Sequence, residues 1–340
     1  MSLLALLTAK SAAVDPLAPL APLPVYPEQA LPYTLPTEAP YQVPITMITP
    51  TYDGSGSTVH PSVVDMVAEG FEGGFRGWRY WMGITPYNKS SLGLENPSIL
   101  VSNNGFHWHV PDGLTNPLDD PRTSPDKGGA YNSDTELVWD PDKKRFVLYW
   151  RRAAEMLHAA ESTDGIHWKR TFGILGSYTA GTTSDYVSPA IIRDGPGQWR
   201  MWVGEKGQGT WSTGQTMWTA PDAMGPWTFA GRRSTTSGNQ YYWHYDMLWD
   251  EETKMYFTIS SVSGSGGIIH VGVSADGLTW KTGASIITEK GSYRPTMVRR
   301  PEDPDWYDVW YSIQGPNEHG VSNWWTKRTQ VPRSEWLKLL

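Results

Sequence analysis

Ser162-Thr163-Asp164-Gly165-Ile166-His167-Trp168 decides the fold, because the chain repeats it. The same turn stands at Ser102-Asn103-Asn104-Gly105-Phe106-His107-Trp108 and at Ser274-Ala275-Asp276-Gly277-Leu278-Thr279-Trp280. A worn copy is Asp222-Ala223-Met224-Gly225-Pro226-Trp227. Asp-Gly or Asn-Gly between apolar runs marks a hairpin, since glycine takes positive φ at no steric cost.

Strand-like runs precede each turn. The first run of each unit opens on His60, Asp134, Ser188, His244 or Arg294. The second runs cover 78–82, 145–149, 199–203, 255–259 and 306–310. Units of this length with four short strands are propeller blades. The repeats predict an all-β, five-bladed β-propeller over residues 51–340. An extended Pro-rich N-terminal arm covers residues 1–50. The fifth copy offers Asn323-Trp324-Trp325-Thr326 as its third run and has no Asp-Gly turn. Its outer strand is expected from Tyr41–Met47, which would lock the ring; the alternative is the segment around Glu335, Trp336 and Leu337.

Composition agrees. The chain has 340 residues, 19 of them Trp, with 34 Gly and 27 Pro to make turns. That length buries a core without staples. There is no cysteine, which excludes disulfides, thiolate nucleophiles and Cys-ligated zinc. A net charge of −7 argues against nucleic-acid binding. No stretch has the apolar length of a membrane helix. The run Leu3–Leu7 has no preceding positive charge, so a cleaved signal peptide is not expected. Ten of the prolines lie in residues 1–50. Such a segment cannot form ladders and favours extended polyproline. Its apolar content suits a strap lying on a neighbour rather than a free linker.

The register of a propeller brings the start of each inner strand and the end of each second strand to one mouth. That predicts a ligand-binding ring of His60, Tyr87, Glu95, Asp134, Arg151, Ser188, Glu205, His244, Arg294 and Gln314. Glu136 and Asp246 alternate onto the inner strands beside it. His107 and His109, two apart on one strand, read as structural, and no metal motif stands out.

The blade pattern resembles the five-bladed propeller glycosidases, notably glycoside hydrolase family 43. The segments at His60–Val64, Tyr80–Met82, Thr85–Tyr87 and Glu95–Ser102 also resemble propeller proteins of bacteriophages and bacteria. The resemblance covers roughly residues 58–330. It implies three carboxylates: a general-base Asp on blade 1, a pKa-tuning Asp on blade 2 and a general-acid Glu on blade 3. This chain departs from that set. His60 stands at the first position, Asp134 matches the second, and Val187 stands at the third. Inverting hydrolysis needs an acid and a base on opposite sides of the bond. The candidate catalytic residues are therefore Asp134, Glu205, Glu95 and His60.

The leading expectation is a virion structural or adhesion protein of a tailed phage. The arm would bind other virion proteins, and a glycosidase-like face with a degraded catalytic set would bind surface polysaccharide. The alternatives are an active family 43-type glycoside hydrolase, a purely structural capsid or tail decoration, and a secreted or cell-surface lectin. An oligomeric assembly is expected. No cofactor is expected, with calcium in the channel left open.

Overall fold

The computed structural model describes residues 44–340, apart from 48, 124–130, 153–155, 176–184, 207–213, 236–241, 263–266 and 318–321. At Phe172, Asp185, Glu205, Lys206, Ser234, Thr235, Tyr242, Trp243 and Val262 it describes the backbone only. The arm expected over residues 1–50 lies, for 1–43, outside the described residues.

Five sheets are present. The short strand β1 (Ile45–Thr46) comes first. Blade 1 is β2 (Thr58–Asp65), β3 (Tyr80–Pro86) and β4 (Ser98–Ser102). Blade 2 is β5 (Asn132–Asp140), β6 (Arg145–Arg152), β7 (Met156–Ser162) and β8 (Lys169–Leu175). Blade 3 is β9 (Asp185–Gly195), β10 (Gln198–Lys206), β11 (Gly214–Ala220) and β12 (Thr228–Arg232). The two-residue β13 (Ser234–Thr235) then pairs in parallel with the outer strand of blade 4. Blade 4 is β14 (Tyr242–Asp250), β15 (Met255–Val262), β16 (Ile269–Ser274) and β17 (Thr279–Ile287). Blade 5 is β18 (Ser292–Arg299), β19 (Trp306–Pro316) and β20 (Ser322–Pro332), with β1 as its fourth strand. The pairing of Ile45 with Arg328 joins the two ends of the described chain in one sheet and closes the ring.

Blade 1 differs from the expected four strands. It has three, and its fourth is reduced to a single bridge between Val101 and His109. The cause is local: the chain leaves the sheet after His109 into a loop with Pro111, Pro117 and Pro121, which cannot donate a full ladder.

The repeated turn explains its own sequence. In the second copy Ser162 Oγ accepts the Gly165 N–H at 2.8 Å. Asp164 Oδ1 accepts from the N–H groups of Ile166 and His167, each at 2.8 Å. Trp168 Nε1 donates back to the Gly165 carbonyl at 3.0 Å. Ser102, Asn104, Gly105 and Trp108 repeat these bonds, as do Ser274, Asp276, Gly277 and Trp280. The glycines sit at φ +71, +75 and +75. Each is pressed on an aromatic ring of the preceding blade. A Cβ at Gly105 would meet Trp310 at 2.9 Å, one at Gly277 would meet Trp202 at 2.8 Å, and one at Gly165 would overlap Trp81. Trp310 and Trp202 also donate Nε1 to the Gly105 and Gly277 carbonyls, at 2.9 and 2.8 Å. The turns are therefore the contacts that set one blade on the next.

Blade 5 has no such turn, and the C-terminal helix α1 (Ser334–Leu337) takes its place. Trp336 is fully buried, stacks on Phe257 of blade 4 at 5.9 Å and donates Nε1 to the Thr258 carbonyl at 2.9 Å. So Ile45–Thr46 fills the missing strand and Trp336 fills the missing turn.

Candidate active site and metal centre

Four of the five inner strands begin with a kink of the same kind. His60, Asp134, Ser188 and Arg294 have φ of +61, +53, +51 and +34. A non-glycine residue there is strained, and such strain clusters where a side chain must be aimed. The ladders slip at these points, between Val59 and Ser62, Ser133 and Glu136, Val187 and Ala190, and Tyr293 and Pro295. β14 slips likewise between Tyr242 and His244. A bulge re-aims its side chain, and here each aims towards the axis.

Three of these side chains meet. His60 Nε2 lies 3.5 Å from Asp134 Oδ1, and His244 Nδ1 lies 3.2 Å from the same oxygen. Ser188 Oγ donates to Asp134 Oδ1 at 3.1 Å and also bonds His244 Nδ1. The Asp134 backbone N–H donates to His60 Nδ1 at 3.2 Å, which leaves Nε2 facing the carboxylate. Ser133 Oγ holds Asp134 Oδ2 at 2.8 Å. All three residues of the trio are buried, and one donor atom from each lies within 4.8 Å of the others.

Their protonation suits a cation. Burial pushes the His60 imidazole down to about 4, against the opposing pull of Asp134. Burial likewise holds His244 well below its ordinary value. Burial also pushes the Asp134 carboxyl up, but His60, His244, Arg151 and Arg294 together hold it well below the usual carboxylate range. Two neutral imidazoles and one carboxylate therefore converge at neutral pH. That set matches the donors that first-row divalent cations prefer. The hydrogen bonds that Ser133 and Ser188 donate to the Asp134 carboxylate are outer contacts of the kind that orient a ligand. Among the described residues it is the one group of this kind.

Glu95 stands beside the trio. Its Oε1 is 3.6 Å from His60 Nδ1. Burial, then the Asp134 charge, push its carboxyl well above the usual range, with Arg151 opposing. It is held from below: the Asn132 N–H donates to the Glu95 carbonyl, and Asn132 Nδ2 bonds Asn96 Oδ1 and Asp119 Oδ2. Arg151 reaches the site from β6, with Nη1 3.3 Å from the Tyr131 hydroxyl and 3.9 Å from Asp134 Oδ2.

The remaining expected site residues are placed differently. Arg294 does not line the mouth. It crosses the channel fully buried, donating Nη2 to Glu136 Oε2 at 2.9 Å and to the carbonyls of Thr135 and Pro189, and Nη1 to that of Tyr245. Its left-handed backbone turns the long side chain inward, so one residue of blade 5 ties blades 2, 3 and 4. Glu136 is saturated by Arg294, Ser62 and the Ile191 N–H. Burial, helped by the Asp246 charge, raises its carboxyl to about 8, with Arg294 opposing. Asp246 is bound by Thr296 and by the N–H groups of Met247 and Met297. Glu136 and Asp246 thus serve the joints between blades. Tyr87 is half-buried near the Glu95 carboxylate, whose charge, after burial, raises its hydroxyl to about 12. Gln314 is exposed on β19, opposite Trp324 in register. Glu205 is next to last on β10, and its side chain lies outside the described residues. Val187, at the family's general-acid position, is buried in the core.

Tyr131, Ser133, Tyr293 and Trp324 surround the site but were not singled out by the motif reading. The signal for Tyr293 was its place immediately before Arg294, and for Trp324 the Trp-Trp pair in the third run of blade 5.

No protein-family model matches the chain. By sequence it is similar to an A type blood N-acetyl-α-D-galactosamine deacetylase of Flavonifractor plautii, at 25% identity, covering 65% of this chain and 34% of that protein. The chain thus spans about a third of the length of that curated relative. Among solved structures it is similar to an N-acetylgalactosamine deacetylase from F. plautii in complex with blood group B trisaccharide, at 20% identity and a TM-score of 0.72, covering 88% of this chain and 97% of that one. It is also similar to a family 43 β-1,3-galactosidase, at 13% identity and a TM-score of 0.56, covering 84% of this chain and 59% of that one. A thermostable family 43 glycoside hydrolase matches at 14% identity and a TM-score of 0.56, covering 80% and 88%. At these identities the solved structures speak for the fold. The chain is a five-bladed β-propeller with structural neighbours among family 43 glycoside hydrolases and related glycosidase-like propellers, and with a deacetylase homologue of the same fold.

Proposed function

We propose that this propeller is a hydrolase that removes an acyl group from the amine of an N-acylated sugar, with a divalent cation held by His60, Asp134 and His244. The observation that carries the reading is the buried meeting of those three side chains from blades 1, 2 and 4. The sequence similarity to a deacetylase supports it. A cation held by these residues would supply Lewis-acid polarisation of the acyl carbonyl and acidification of a water molecule. The chain's own groups do the rest. Glu95, whose carboxyl burial and the Asp134 charge push well above the usual range, stands beside His60 to give the proton that a departing amine needs. Ser188 and Ser133 keep the Asp134 carboxylate facing the imidazoles. Arg151, buried beside Asp134, keeps positive charge near the trio, where a developing oxyanion would gain from it. Amide and water go in; amine and carboxylic acid come out.

Glycoside hydrolysis fits less well. It needs two free carboxyl groups flanking the bond. Asp134 is committed between two imidazoles, and the family's other two positions hold His60 and Val187. The test is acetate release from N-acetylated glycans before and after chelation, with a reducing-end assay in parallel. Chelator-sensitive acetate release without reducing ends supports the reading. Reducing-end release without acetate overturns it in favour of the glycosidase.

A second reading concerns placement, and the composition of residues 1–50 favours it. It puts the propeller on a virus particle, the arm engaging other virion proteins and the enzyme face meeting surface polysaccharide. Incorporation of a chain lacking residues 1–43 into particles at the wild-type level would sink it.

A further inference from the structure

Trp81, Trp202, Trp310 and Trp336 are buried among the blades. Trp324 is not: it is half-buried on β20. Its ring centroid lies 5.4 Å from that of Tyr293 and 5.5 Å from that of Tyr87. Tyr293 stands edge-on to His244 at 4.0 Å and lies 5.9 Å from His60. Three rings, each partly exposed, therefore run from the edge of the trio outward.

Trp324 is also held in place from another blade. Its Nε1 donates to Ser90 Oγ at 2.9 Å. Beside it, the Lys89 N–H donates to Asn323 Oδ1 at 2.8 Å, and Asn323 Nδ2 donates to Asn88 Oδ1 at 3.0 Å. Lys89 and Ser90 take φ of +48 and +58. Two consecutive strained non-glycine residues persist only where their surroundings over-determine them. The segment is shaped to grip a tryptophan that packing alone leaves half-open.

Pyranose rings present apolar C–H faces, which stack on aromatic rings, and hydroxyl edges, which bond side-chain amides. Trp324 with its neighbours Gln314, Asn88 and Asn323 offers both kinds of surface. Resting on the deacylase reading, we propose that Tyr87, Tyr293 and Trp324 form a stacking wall for the sugar ring adjoining the acylated one. The preferred substrate is then a disaccharide or longer glycan, not a free N-acetylhexosamine.

The experiment is calorimetric binding of N-acetylglucosamine and N-acetylgalactosamine, and of disaccharides carrying each in α and β linkage, with acetate release measured alongside. The wild type should prefer at least one disaccharide over its monosaccharide by about tenfold or more. Trp324→Ala should lose that preference while changing monosaccharide binding less than about twofold, and Trp324→Phe should recover much of it. Tyr87→Leu tests the same wall if Trp324→Ala does not fold. Unchanged disaccharide binding by these variants, no disaccharide preference in the wild type, or no binding across the panel overturns the wall. Trp324-dependent binding without acetate release would sink the deacylase reading and leave the wall standing; acetate release indifferent to Trp324 does the reverse.

Discussion

His244 Nδ1 lies 3.2 Å from Asp134 Oδ1, although the two residues come from blades 4 and 2, which are not neighbours in the ring. Only closure of the propeller brings them together, and the same closure adds His60. If this meeting is the catalytic centre, Glu95 is its proton donor. Glu95→Gln keeps the shape but cannot give up an acidic proton. It should lower kcat for acetate release by about 10²–10⁴-fold. Cation content and thermal midpoint should stay near wild type. An unchanged kcat would remove Glu95 from the mechanism.

Arg294 tests the architecture instead. Arg294→Met strips Glu136 of its buried partner and leaves the carbonyls of Thr135, Pro189 and Tyr245 without their donor. Leaving a buried polar group without its donor costs about 1–3 kcal/mol. Chemical denaturation should show a loss of that size. Replacing Glu136 as well by Met should recover part of it, because the stranded buried carboxyl is then gone. A single-variant loss below about 1 kcal/mol would mean that Arg294 is not the hub described here.

The turns give a comparison between two glycines. Gly165 and Gly113 both take positive φ, at +75 and +86. A Cβ at Gly165 would overlap the Trp81 ring, whereas one at Gly113 would meet only Ile166 Cγ2 at 3.5 Å. Gly113→Ala should cost about 1 kcal/mol, the backbone term alone. Gly165→Ala should cost about 2 kcal/mol more, since the blade joint must shift. Equal losses in thermal melts would show that the turn does not set blade on blade.

Acid titration examines the same turn. Burial pushes the Asp164 carboxyl up, but bonds from His167, Ile166 and Ser162 bring it down to about 2. Because the folded value is depressed, its stabilisation is complete above the unfolded value of about 4. It is lost as pH falls from about 4 towards 2. Asn104 fills the equivalent place with the same acceptor, so Asp164→Asn should fold and keep the turn. Any stability advantage of wild type over Asp164→Asn at pH 7 should shrink below about pH 4. An advantage that stays constant down to pH 2 would show that the carboxylate charge plays no part.

Local chemistry was legible in the sequence and long-range convergence was not. Ser162, Asp164, Gly165 and Trp168 bond one another within seven residues, so their pattern alone reports the turn, and its recurrence reports the blades. His60, Asp134 and His244 could be placed at one mouth from the repeat register. That they share one carboxylate oxygen depends on bulges and positive φ values that no composition rule announces. For the same reason Arg294 was expected at the mouth and instead spans the channel. Its side chain follows a left-handed backbone, and the carbonyls that receive it belong to three other blades. Trp336 was weighed as a strand substitute. It proves to be the stand-in for a missing turn, because the helix that carries it packs on Phe257 instead of pairing with β20.

The most direct test of the central claim is the divalent-metal content of purified protein, read together with acetate release from N-acetylated glycans. Wild type should hold about one equivalent of a divalent cation, and His244→Ala and Asp134→Asn should lose most of it. Chelation should abolish acetate release, and re-addition of the cation should restore it. Protein that binds no divalent cation at neutral pH, or whose activity ignores both chelator and His244→Ala, would contradict the account.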